Sequence, residues 1–441
     1  MVRHPLCAGG FLWVFADEGI KRTDKDGKID INGNKAPDGI VGPYREKEAS
    51  YFTIKEIWSP VYLDEKFLTP SFTGKLKVEN RYDFTNLNQC TFSWKLVSYP
   101  GAGSTTTDYK VNATGKPKPL SLAPGENGLL NLDLPASWRE SDALFLTAYD
   151  PYKRELFTWS WPLKSAAEIA AREIKTIDRA SKVEATEQND RLIIKVDGIT
   201  YHFDKATGNL AQVVNAKSAI SLSGGPVVAG VDHKLKEIKQ GRDGETYWLE
   251  PIYEGDKENS FQVKWTFTPG KPVKLDYNYA QKGVADFMGI TFNYPEANIT
   301  GMKWLGRGPN HVWKNRLRGL QFNVWQKNYN NAITGEAWQY PEFKGYHAEL
   351  YWVTVQTKEA PFTVYAANEG IFLQMLQPAK PLGAANNNTS PPFPAGNIGF
   401  LNAISPIGTK FQSASLMGPQ SQKNAMLNNS PVKGELWFDF R

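Results

Sequence analysis

Apolar and polar residues alternate along much of the segment from residue 61 to residue 164. In Lys-Leu-Lys-Val-Glu-Asn at residues 75–80 the two kinds trade places with a period of two, and residues 92–96 repeat the pattern. A period of two is that of a β-strand with one buried face. Stretches rich in Pro, Gly and Ser at residues 99–104 and 123–128 indicate turns. The pattern predicts an immunoglobulin-like β-sandwich over residues 61–164.

Strand patterns return over residues 191–441 and continue to the end of the chain. Residues 192–203 place Asp-Gly between two apolar runs, which is a strong signal for a two-residue β-hairpin. Two further alternating runs, residues 261–267 and 273–279, flank a Pro-Gly turn, and residues 436–440 are typical of a closing strand. So many strands in one segment predict a second, larger β-sandwich.

A short helix and a linker are predicted between the two sandwiches, over residues 165–190. Ser165 and Glu168 have the spacing of a capping box, and residues 166–177 contain good helix formers. The polar run at residues 180–190 is typical of a linker.

The first sixty residues have a different pattern. Residues 9–16 are apolar on both faces, as in a strand of a parallel sheet that is buried on each side. A polar loop rich in Gly, Asp and Asn follows at residues 23–44. Such a strand needs neighbours, and alone it would expose an apolar edge. We therefore expect residues 1–60 to be the remnant of a larger domain that lies upstream.

Composition narrows the class of protein. A chain of 441 residues is expected to form two or three domains. Aromatic residues make up 13%, with 14 Trp, which suits β-sheets and sugar-binding surfaces. The formal charge of +5 is small and no basic block stands out, so we expect no nucleic-acid partner. No apolar run approaches the roughly 18–20 residues of a membrane span, so no membrane association is expected.

Three stretches, in the same order, resemble the C-terminal half of β-galactosidases of glycoside hydrolase family 2. Gly-Gly-Phe-Leu-Trp at residues 9–13 resembles the last strand of that family's catalytic (β/α)8 barrel, and residues 76–84 are similar to the start of its fourth domain. Trp-Leu-Gly-Arg-Gly-Pro at residues 304–309 resembles its fifth domain, a galactose-mutarotase-like β-supersandwich. The resemblance implies a mostly β chain: a truncated barrel remnant, an immunoglobulin-like sandwich and a supersandwich over residues 191–441.

The resemblance implies a retaining exo-β-glycosidase that acts on terminal β-galactosides, but it assigns this chain no catalytic residue. Retaining glycosidases use two carboxylates, and in this family both precede the strand that carries Trp13. We therefore expect the chain alone to be inactive. Trp13 matches the Trp that stacks on the sugar ring, with Asp17 and Glu18 close behind it as further substrate-binding candidates. A core Trp in a buried strand is the alternative interpretation.

Asp38 is the metal candidate, because it matches a family position beside a bound monovalent cation. The family has Asn where this chain has Asp. A sodium, magnesium or calcium ion at this barrel-end loop is therefore the cofactor that the resemblance allows, and a loop Asp before Gly is the plain alternative. Asp30, Asn32 and Asn34 also alternate along the loop, but Val41 stands where a calcium loop has Glu.

His311 and Trp313 are substrate-binding candidates on the large sandwich. They replace the Glu and Tyr that the family often has after Gly-Pro, and Phe393 is the aromatic residue in a segment where the family can place a substrate-contacting Trp. These departures leave the sugar open between a terminal β-galactoside and a related β-glycoside.

Two other classes of function stay open. The chain alone could be a carbohydrate-binding or subunit-assembly module, in which case a homo-oligomer is one form it could take. A mutarotase-like epimerase would need an acid/base pair, for which His311, Glu342 and His347 are the candidates. Localisation is not determined by the sequence; a periplasmic or secreted parent protein is compatible with it.

Overall fold

The fold is described from a computed structural model, which covers residues 6, 9–30, 38–177, 181–329, 343–378, 389, 391–409, 411–426 and 430–441. Two β-sandwiches account for most of these residues, so the prediction of a mostly β chain is confirmed. No helix in these ranges is long and apolar enough to cross a bilayer.

The N-terminal segment contains a small hairpin and one helix. Its elements are β1 (Ile20–Arg22), β2 (Lys28–Asp30) and α1 (Ala49–Ile57). Arg22 crosses the hairpin and pairs with Asp24 at 2.6 Å and with Asp30 at 2.8 Å. Asp30, the carboxylate of the possible calcium loop, is thus bound to a guanidinium group, while Asn32 and Asn34 lie outside the described residues.

The buried strand predicted at residues 9–16 is not formed in the described structure, and the barrel remnant stays a prediction. These residues form no strand, and Phe11 and Trp13 are 105% and 79% exposed. Among the described residues only one segment pairs with them: Ala16 forms a parallel bridge with Val41, and the Val41 carbonyl accepts a hydrogen bond from Asp17 N at 2.9 Å. A strand that is buried on both faces needs partners on two sides and cover above and below, which this single pairing does not supply.

The smaller sandwich begins directly after α1. Its strands are β3 (Val61–Leu63), β4 (Lys75–Asn80), β5 (Thr91–Ser98), β6 (Lys110–Gly115), β7 (Asn127–Asn131), β8 (Ala143–Tyr149) and β9 (Glu155–Pro162). They form a three-stranded sheet in the order β3-β4-β7 and a four-stranded sheet in the order β6-β5-β8-β9. Alternate residues of both sheets, such as Leu76, Val78, Trp94 and Leu96, are buried between them, as the period of two predicts.

The predicted helix between the sandwiches is α2 (Ala166–Glu173). Its capping box is confirmed: Ser165 Oγ accepts from Glu168 N at 3.2 Å, and the Glu168 carboxylate accepts from Ser165 N at 2.8 Å. The helix ends four residues earlier than predicted. The predicted linker at residues 180–190 is wrong in part, because it contains the edge strand β10 (Glu184–Gln188).

The larger sandwich has a ten-stranded and a nine-stranded sheet. The first runs β10-β11-β12-β13-β15-β21-β28-β27-β24, with β14 paired to β13, and the second runs β16-β17-β18-β19-β30-β26-β25-β22-β23. The strands after β10 are β11 (Arg191–Val196), β12 (Ile199–Asp204), β13 (Leu210–Val214), β14 (Ala219–Ile220), β15 (Ser223–Val228), β16 (Leu235–Asp243), β17 (Thr246–Tyr253), β18 (Ser260–Phe267), β19 (Val273–Ala280), β20 (Val284–Ala285), β21 (Met288–Asn293), β22 (Ile299–Gly308), β23 (Gln321–Asn328), β24 (Gly345–His347), β25 (Trp352–Thr357), β26 (Phe362–Ala366), β27 (Phe372–Met375), β28 (Ile398–Ala403), β29 (Asn424–Ala425) and β30 (Val432–Asp439). Strands β20 and β29 pair with each other. Short 3-10 helices cover Leu87–Gln89, Ala136–Glu140, Glu296–Asn298, Ala414–Leu416 and Pro419–Ser421.

Both predicted features of this sandwich that depend on local sequence are confirmed. Asp197 and Gly198 connect β11 and β12 with φ of 53° and 79°, the left-handed values that a two-residue type I′ turn requires. The closing strand β30 lies between β19 and β26, so the last residues of the chain complete the middle of the nine-stranded sheet.

The two sandwiches share an apolar interface. Tyr99 and Phe145 of the smaller sandwich, Ile169 of α2, and Phe322 and Tyr351 of the larger one belong to one buried cluster. Hydrogen bonds cross it as well: the Tyr99 hydroxyl donates to the Phe322 carbonyl at 2.6 Å. The edge strands β9 and β23 lie side by side in this contact, so each covers an edge of the other sandwich.

Candidate functional site

The N-terminal candidates lie on two short neighbouring segments, residues 13–18 and 38–41. Backbone hydrogen bonds join them, including Val14 N to the Asp38 carbonyl at 3.1 Å and Ile40 N to the Phe15 carbonyl at 3.0 Å. The Trp13–Val14 peptide bond is cis. The Trp13 indole is exposed in this arrangement.

Asp17 is the buried carboxylate of this pair of segments, with 5% of its surface exposed. It accepts a hydrogen bond from Gly39 N at 2.8 Å. Burial, with the nearby carboxylates of Glu46 and Asp38, raises the pKa of Asp17 above its usual value, against the opposing hydrogen bonds from Gly39 and Glu48. Because a Cβ on Gly39 would collide with the backbone of Ala16 and Asp17, only glycine allows this close approach.

Glu18 and Asp38 have different surroundings from Asp17. Glu18 is exposed, and Asp38 is half-buried with its backbone carbonyl bound to Val14. The described residues contain no group of three or more His, Cys, Asp or Glu that is arranged to hold a metal ion. Asp38 therefore has no complete set of protein ligands within the described ranges, and its cation remains a prediction of the resemblance.

His311 and Trp313 line a cavity of about 820 Å³ between the two sandwiches and α1. Its walls come from one face of α1, from strand β9 with the loop after β3, and from the larger sandwich. The larger sandwich contributes the segment between β22 and β23 together with Ala348, Glu349, Gly370, Phe372 and Gln420. The polar lining of the cavity includes Glu56, Arg307 and Arg318. Trp13, Asp17, Glu18 and Asp38 are not among the lining residues, so the structure brings the candidates together in two separate groups.

Trp313 forms a wall of the cavity and has little free surface. It is 4% exposed, and its ring meets Tyr346 and Phe393 edge-on at 5.7 and 5.5 Å between centroids. His311 is half-buried beside it, with 6.2 Å between the ring centroids. Of the two, His311 is the less buried.

Two ion pairs in the cavity were not singled out by the sequence. Arg307 contacts Glu349 at 2.8 Å and also donates to the carbonyls of Ser160 and Lys66 in the smaller sandwich. Arg307 belongs to the motif at residues 304–309, but its role depends on a partner 42 residues away. Such partners are not visible in a strand pattern.

The second ion pair joins α1 to the larger sandwich. Arg318 binds Glu56 at 2.8 Å, and the Thr53 hydroxyl donates to the Arg318 carbonyl at 3.0 Å. These residues are more than 260 positions apart, which explains why local patterns could not predict the contact. α1 is therefore fixed to both sandwiches, since Lys55 also pairs with Glu155 on β9.

His347 does not line this cavity. It is fully buried against Trp304, with 4.9 Å between the ring centroids. Burial, with a smaller contribution from the charges of Lys327 and His311, lowers the pKa of His347 to about 3, so the imidazole is neutral near pH 7. Glu342, the third candidate for an epimerase, lies outside the described residues.

Comparison with known proteins matches both sandwiches to β-galactosidase domains. Residues 76–178 match the family model of β-galactosidase domain 4, and residues 195–380 match that of the β-galactosidase small chain. The two matches follow each other along the chain and cover most strands of both sandwiches. The chain belongs to the β-galactosidases, and it corresponds to their C-terminal portion.

Two curated β-galactosidases are similar to parts of the chain. That of Lactobacillus delbrueckii subsp. bulgaricus is 23% identical over 368 residues, which are 74% of this chain and 34% of the relative. That of Priestia megaterium (strain DSM 319 / IMG 1521) is 26% identical over 105 residues, 21% of this chain and 10% of the relative. The matched region thus spans about a third or less of either relative.

One solved structure is also similar, a Salmonella typhimurium protein (YeaD) described provisionally as a mutarotase. It is 9% identical, covers 62% of this chain and 99% of its own, and has a TM-score of 0.33.

Proposed function

We propose that this chain is the C-terminal region of a retaining exo-β-glycosidase of glycoside hydrolase family 2 that hydrolyses terminal, non-reducing β-galactosides. The observation that carries the proposal is the pair of consecutive β-galactosidase matches on two docked sandwiches. The substrate would be a carbohydrate, with a related β-glycoside as the alternative.

In this proposal the chain alone does not supply the catalytic carboxylates. Retaining enzymes hold two of them about 5–5.5 Å apart at the ends of barrel strands. The acid/base and the nucleophile would come from barrel strands that precede residue 9.

Trp13 would bind the sugar in the assembled enzyme. Its exposed ring offers an apolar face that can stack on the C–H face of a pyranose while the hydroxyl groups point elsewhere. The paired segments at residues 13–18 and 38–41 would then be the end of the barrel sheet. Asp17, Glu18 and Asp38 would support this loop or contact the substrate and its cation.

A subunit-assembly role is the second candidate, and a specific observation favours it. Phe11, Trp13, Phe15, Ile20 and Trp58 are all large apolar side chains with at least half of their surface exposed. Exposed apolar patches of this kind are typical of surfaces that bind another protein. A chain that docks with a separately made barrel would bury them, and so would a homo-oligomer.

The epimerase interpretation has less support. An acid/base pair must reach the substrate with a pKa near the working pH. His347 is fully buried, has a pKa of about 3 and does not line the cavity that contains His311.

A hydrolysis assay tests the proposal. With p-nitrophenyl β-galactoside, the chain alone should show no turnover above the uncatalysed rate. The protein translated with its in-frame upstream sequence should hydrolyse it, and Trp13→Ala in that protein should lower kcat/KM by about a hundredfold because the sugar loses its positioning contact.

The control for this assay is Phe84→Ala, an exposed aromatic residue of the smaller sandwich that lies outside the N-terminal segment. It should leave kcat/KM unchanged. Turnover by the chain alone, or equal losses in the two variants, would contradict the proposal. The β-glucoside, β-mannoside and β-glucuronide analogues in parallel would identify the sugar.

A further inference from the structure

The outer edge of strand β23 is only partly covered by the smaller sandwich. β23 pairs with β22 alone, so the backbone groups of every second residue point away from the sheet. Phe322 identifies this outer side, because its N–H donates to Ser160 Oγ at 2.6 Å and its carbonyl accepts from the Tyr99 hydroxyl at 2.6 Å. The N–H and C=O groups of Val324 and Gln326 therefore also point outward.

The outward backbone groups lose their partners after Val324 N, which donates to Asn323 Oδ1 at 2.8 Å. Among the described residues, no hydrogen-bond partner meets Gln326 N or the carbonyls of Val324 and Gln326. Gln326 is also exposed. The edge thus presents two acceptors with a donor between them, which is the set of groups that an added strand can pair with.

A groove of about 520 Å³ lies against this part of the edge. Residues 323–326 of β23 form one wall, and residues 107–109 of the smaller sandwich form the other. The groove shares no lining residue with the cavity that contains His311 and Trp313. It is therefore a separate feature of the interface between the two sandwiches.

Positive charges predominate around the groove. Three lysines adjoin it and form no ion pair with a described carboxylate: Lys95, whose amine lies over the Tyr109 ring, Lys110, and Lys303 on the strand next to β23. Asp108 in the lining opposes them, as does Glu173, which pairs with Arg172. The complement of this surface is therefore a segment with acidic side chains.

The shape of the groove favours a single extended segment over a second copy of β23. Two identical strands that pair antiparallel at their edges are related by a twofold axis normal to the sheet, so the same faces of both sheets lie on one side. Residues 107–109 of both copies would then meet above the junction. A lone extended segment brings no such wall of its own.

We propose that the groove beside β23 docks an extended acidic peptide segment of a partner protein, which adds a strand to the edge through the backbone of Val324 and Gln326. In such strand addition, main-chain hydrogen bonds provide affinity and alternate side chains provide specificity. The acidic side chains of the segment face the three lysines. The docking uses neither Trp13 nor the cavity that contains His311, so it is independent of the glycosidase proposal and the full chain as it stands can show it.

Fluorescence anisotropy of two labelled peptides with the full chain tests the docking. The acidic probe is an eight-residue peptide of alternating Glu and Val, and the basic probe has Lys in place of Glu, so that both have the period of a strand. The acidic probe should bind at least about tenfold more tightly than the basic one, and its affinity should fall as salt is added. No binding of the acidic probe up to about 1 mM would overturn the proposal.

Two substitutions of one residue test the backbone contact. Gln326→Pro removes the outward N–H and spares the hydrogen bonds to β22, since that N–H does not face β22. It should raise the Kd of the acidic probe about tenfold, the loss expected for one hydrogen bond and its neighbours. Gln326→Ala keeps the N–H and should bind as the wild type does. Equal Kd values in the two variants would overturn the proposal, because the probe would not then use the edge.

A second pair of variants tests the charges and leaves the strand edge intact, so it decides the question even if Gln326→Pro fails to fold. Lys110→Glu, on the exposed start of β6, should raise the Kd of the acidic probe by about three- to tenfold. Lys116→Glu is the control, because it lies just beyond the other end of β6, roughly 20 Å away along the strand, where salt screens its charge. Equal effects of the two would show attraction to net charge alone and would overturn the proposal.

Analytical ultracentrifugation without a probe distinguishes the other occupant. The proposal predicts that Gln326→Pro and Gln326→Ala have the same oligomeric state as the wild type. A dimer that Gln326→Pro dissociates and Gln326→Ala retains would show that a second copy of the chain occupies the edge, and the peptide proposal would then be wrong.

Discussion

At the residue scale, Gly319 shows how one position fixes two distant parts of the chain. It has φ of 84° and lies against α1, where a Cβ would collide with the backbone of Phe52 and Thr53. Glycine is thus required twice, for the left-handed backbone and for the close approach. The sequence predicts turn glycines such as Gly198 from their neighbours, but it cannot predict Gly319, whose contact is more than 260 residues away.

Gly319→Ala should lower the free energy of unfolding by about 2–4 kcal/mol, since it adds a collision to the cost of a positive φ. Gly125→Ala is the control: its φ is 81° and nothing lies within 4 Å of the added Cβ. It should cost only about 1 kcal/mol. Urea unfolding curves of the two variants measure the difference, and equal losses would show that α1 does not pack closely here.

His347 predicts a pH dependence of stability. The buried imidazole has a pKa of about 3, whereas an unfolded histidine is protonated near its ordinary pKa of 6.5. As the pH falls below 6.5, the unfolded chain binds a proton that the folded chain does not, so stability declines by about 1.4 kcal/mol per pH unit until about pH 3.

The variant His347→Gln removes this proton-binding group and should flatten the decline between pH 6.5 and pH 4. Chemical unfolding at several pH values measures it. His202→Gln, on the half-buried face of β12, should flatten the curve much less. An unchanged slope in His347→Gln would mean that the imidazole can be protonated in the folded chain.

At the element scale, prediction succeeded where neighbouring residues determine the structure. The capping box of α2, the hairpin β11–β12 and the alternating strands β18 and β19 all follow from short sequence patterns and are confirmed. Residues 9–16 have the pattern of a buried strand but form none, because a strand also needs neighbours. Strand β10 was missed because an exposed edge strand can be polar along most of its length.

Ser165→Ala should lower the free energy of unfolding by about 1 kcal/mol, because α2 loses its N-cap. Ser165→Thr keeps a hydroxyl group, so its free energy of unfolding should fall by much less. The Ser165 backbone N–H holds the pKa of Glu168 below its usual value. The stabilisation by Glu168 is therefore present at neutral pH and is lost as the pH falls through that lowered pKa.

The comparison of Glu168→Gln with the wild type tests the direction of this pH dependence. The variant should be less stable at pH 7, and the difference should shrink in acid. A difference that is independent of pH would show that the carboxylate charge does not contribute to the cap.

At the scale of the whole molecule, the two sandwiches and α1 form one docked assembly. The shared cluster around Phe322 and Ile169, the hydrogen bonds from Arg307 to the carbonyls of Ser160 and Lys66, and the contact of Gly319 with α1 all join different domains. The sequence predicted the sandwiches but not their interface, and the cavity at that interface contains His311 and Trp313. The assignment of Trp13, Asp17, Glu18 and Asp38 as site residues depends on the family resemblance. The groups with which they would act belong to the proposed barrel strands.

Phe322→Ala should uncouple the sandwiches. The ring is buried and meets Tyr99 and Tyr351 edge-on at 5.8 and 4.8 Å, so its loss should cost about 3–5 kcal/mol. Scanning calorimetry should show one transition for the wild type and two for the variant. Phe322→Leu keeps most of the volume and should retain one transition; two transitions in the wild type would show that the domains are not coupled.

The central claim is that this chain is the C-terminal region of a β-galactosidase-type glycosidase, and the DNA immediately upstream of the Met1 codon tests it most directly. The account predicts an open reading frame that continues upstream and encodes further barrel strands with two Glu residues at strand ends. An in-frame stop codon with a ribosome-binding site at that position would contradict it, and the assembly role of the exposed N-terminal side chains would then become the better explanation.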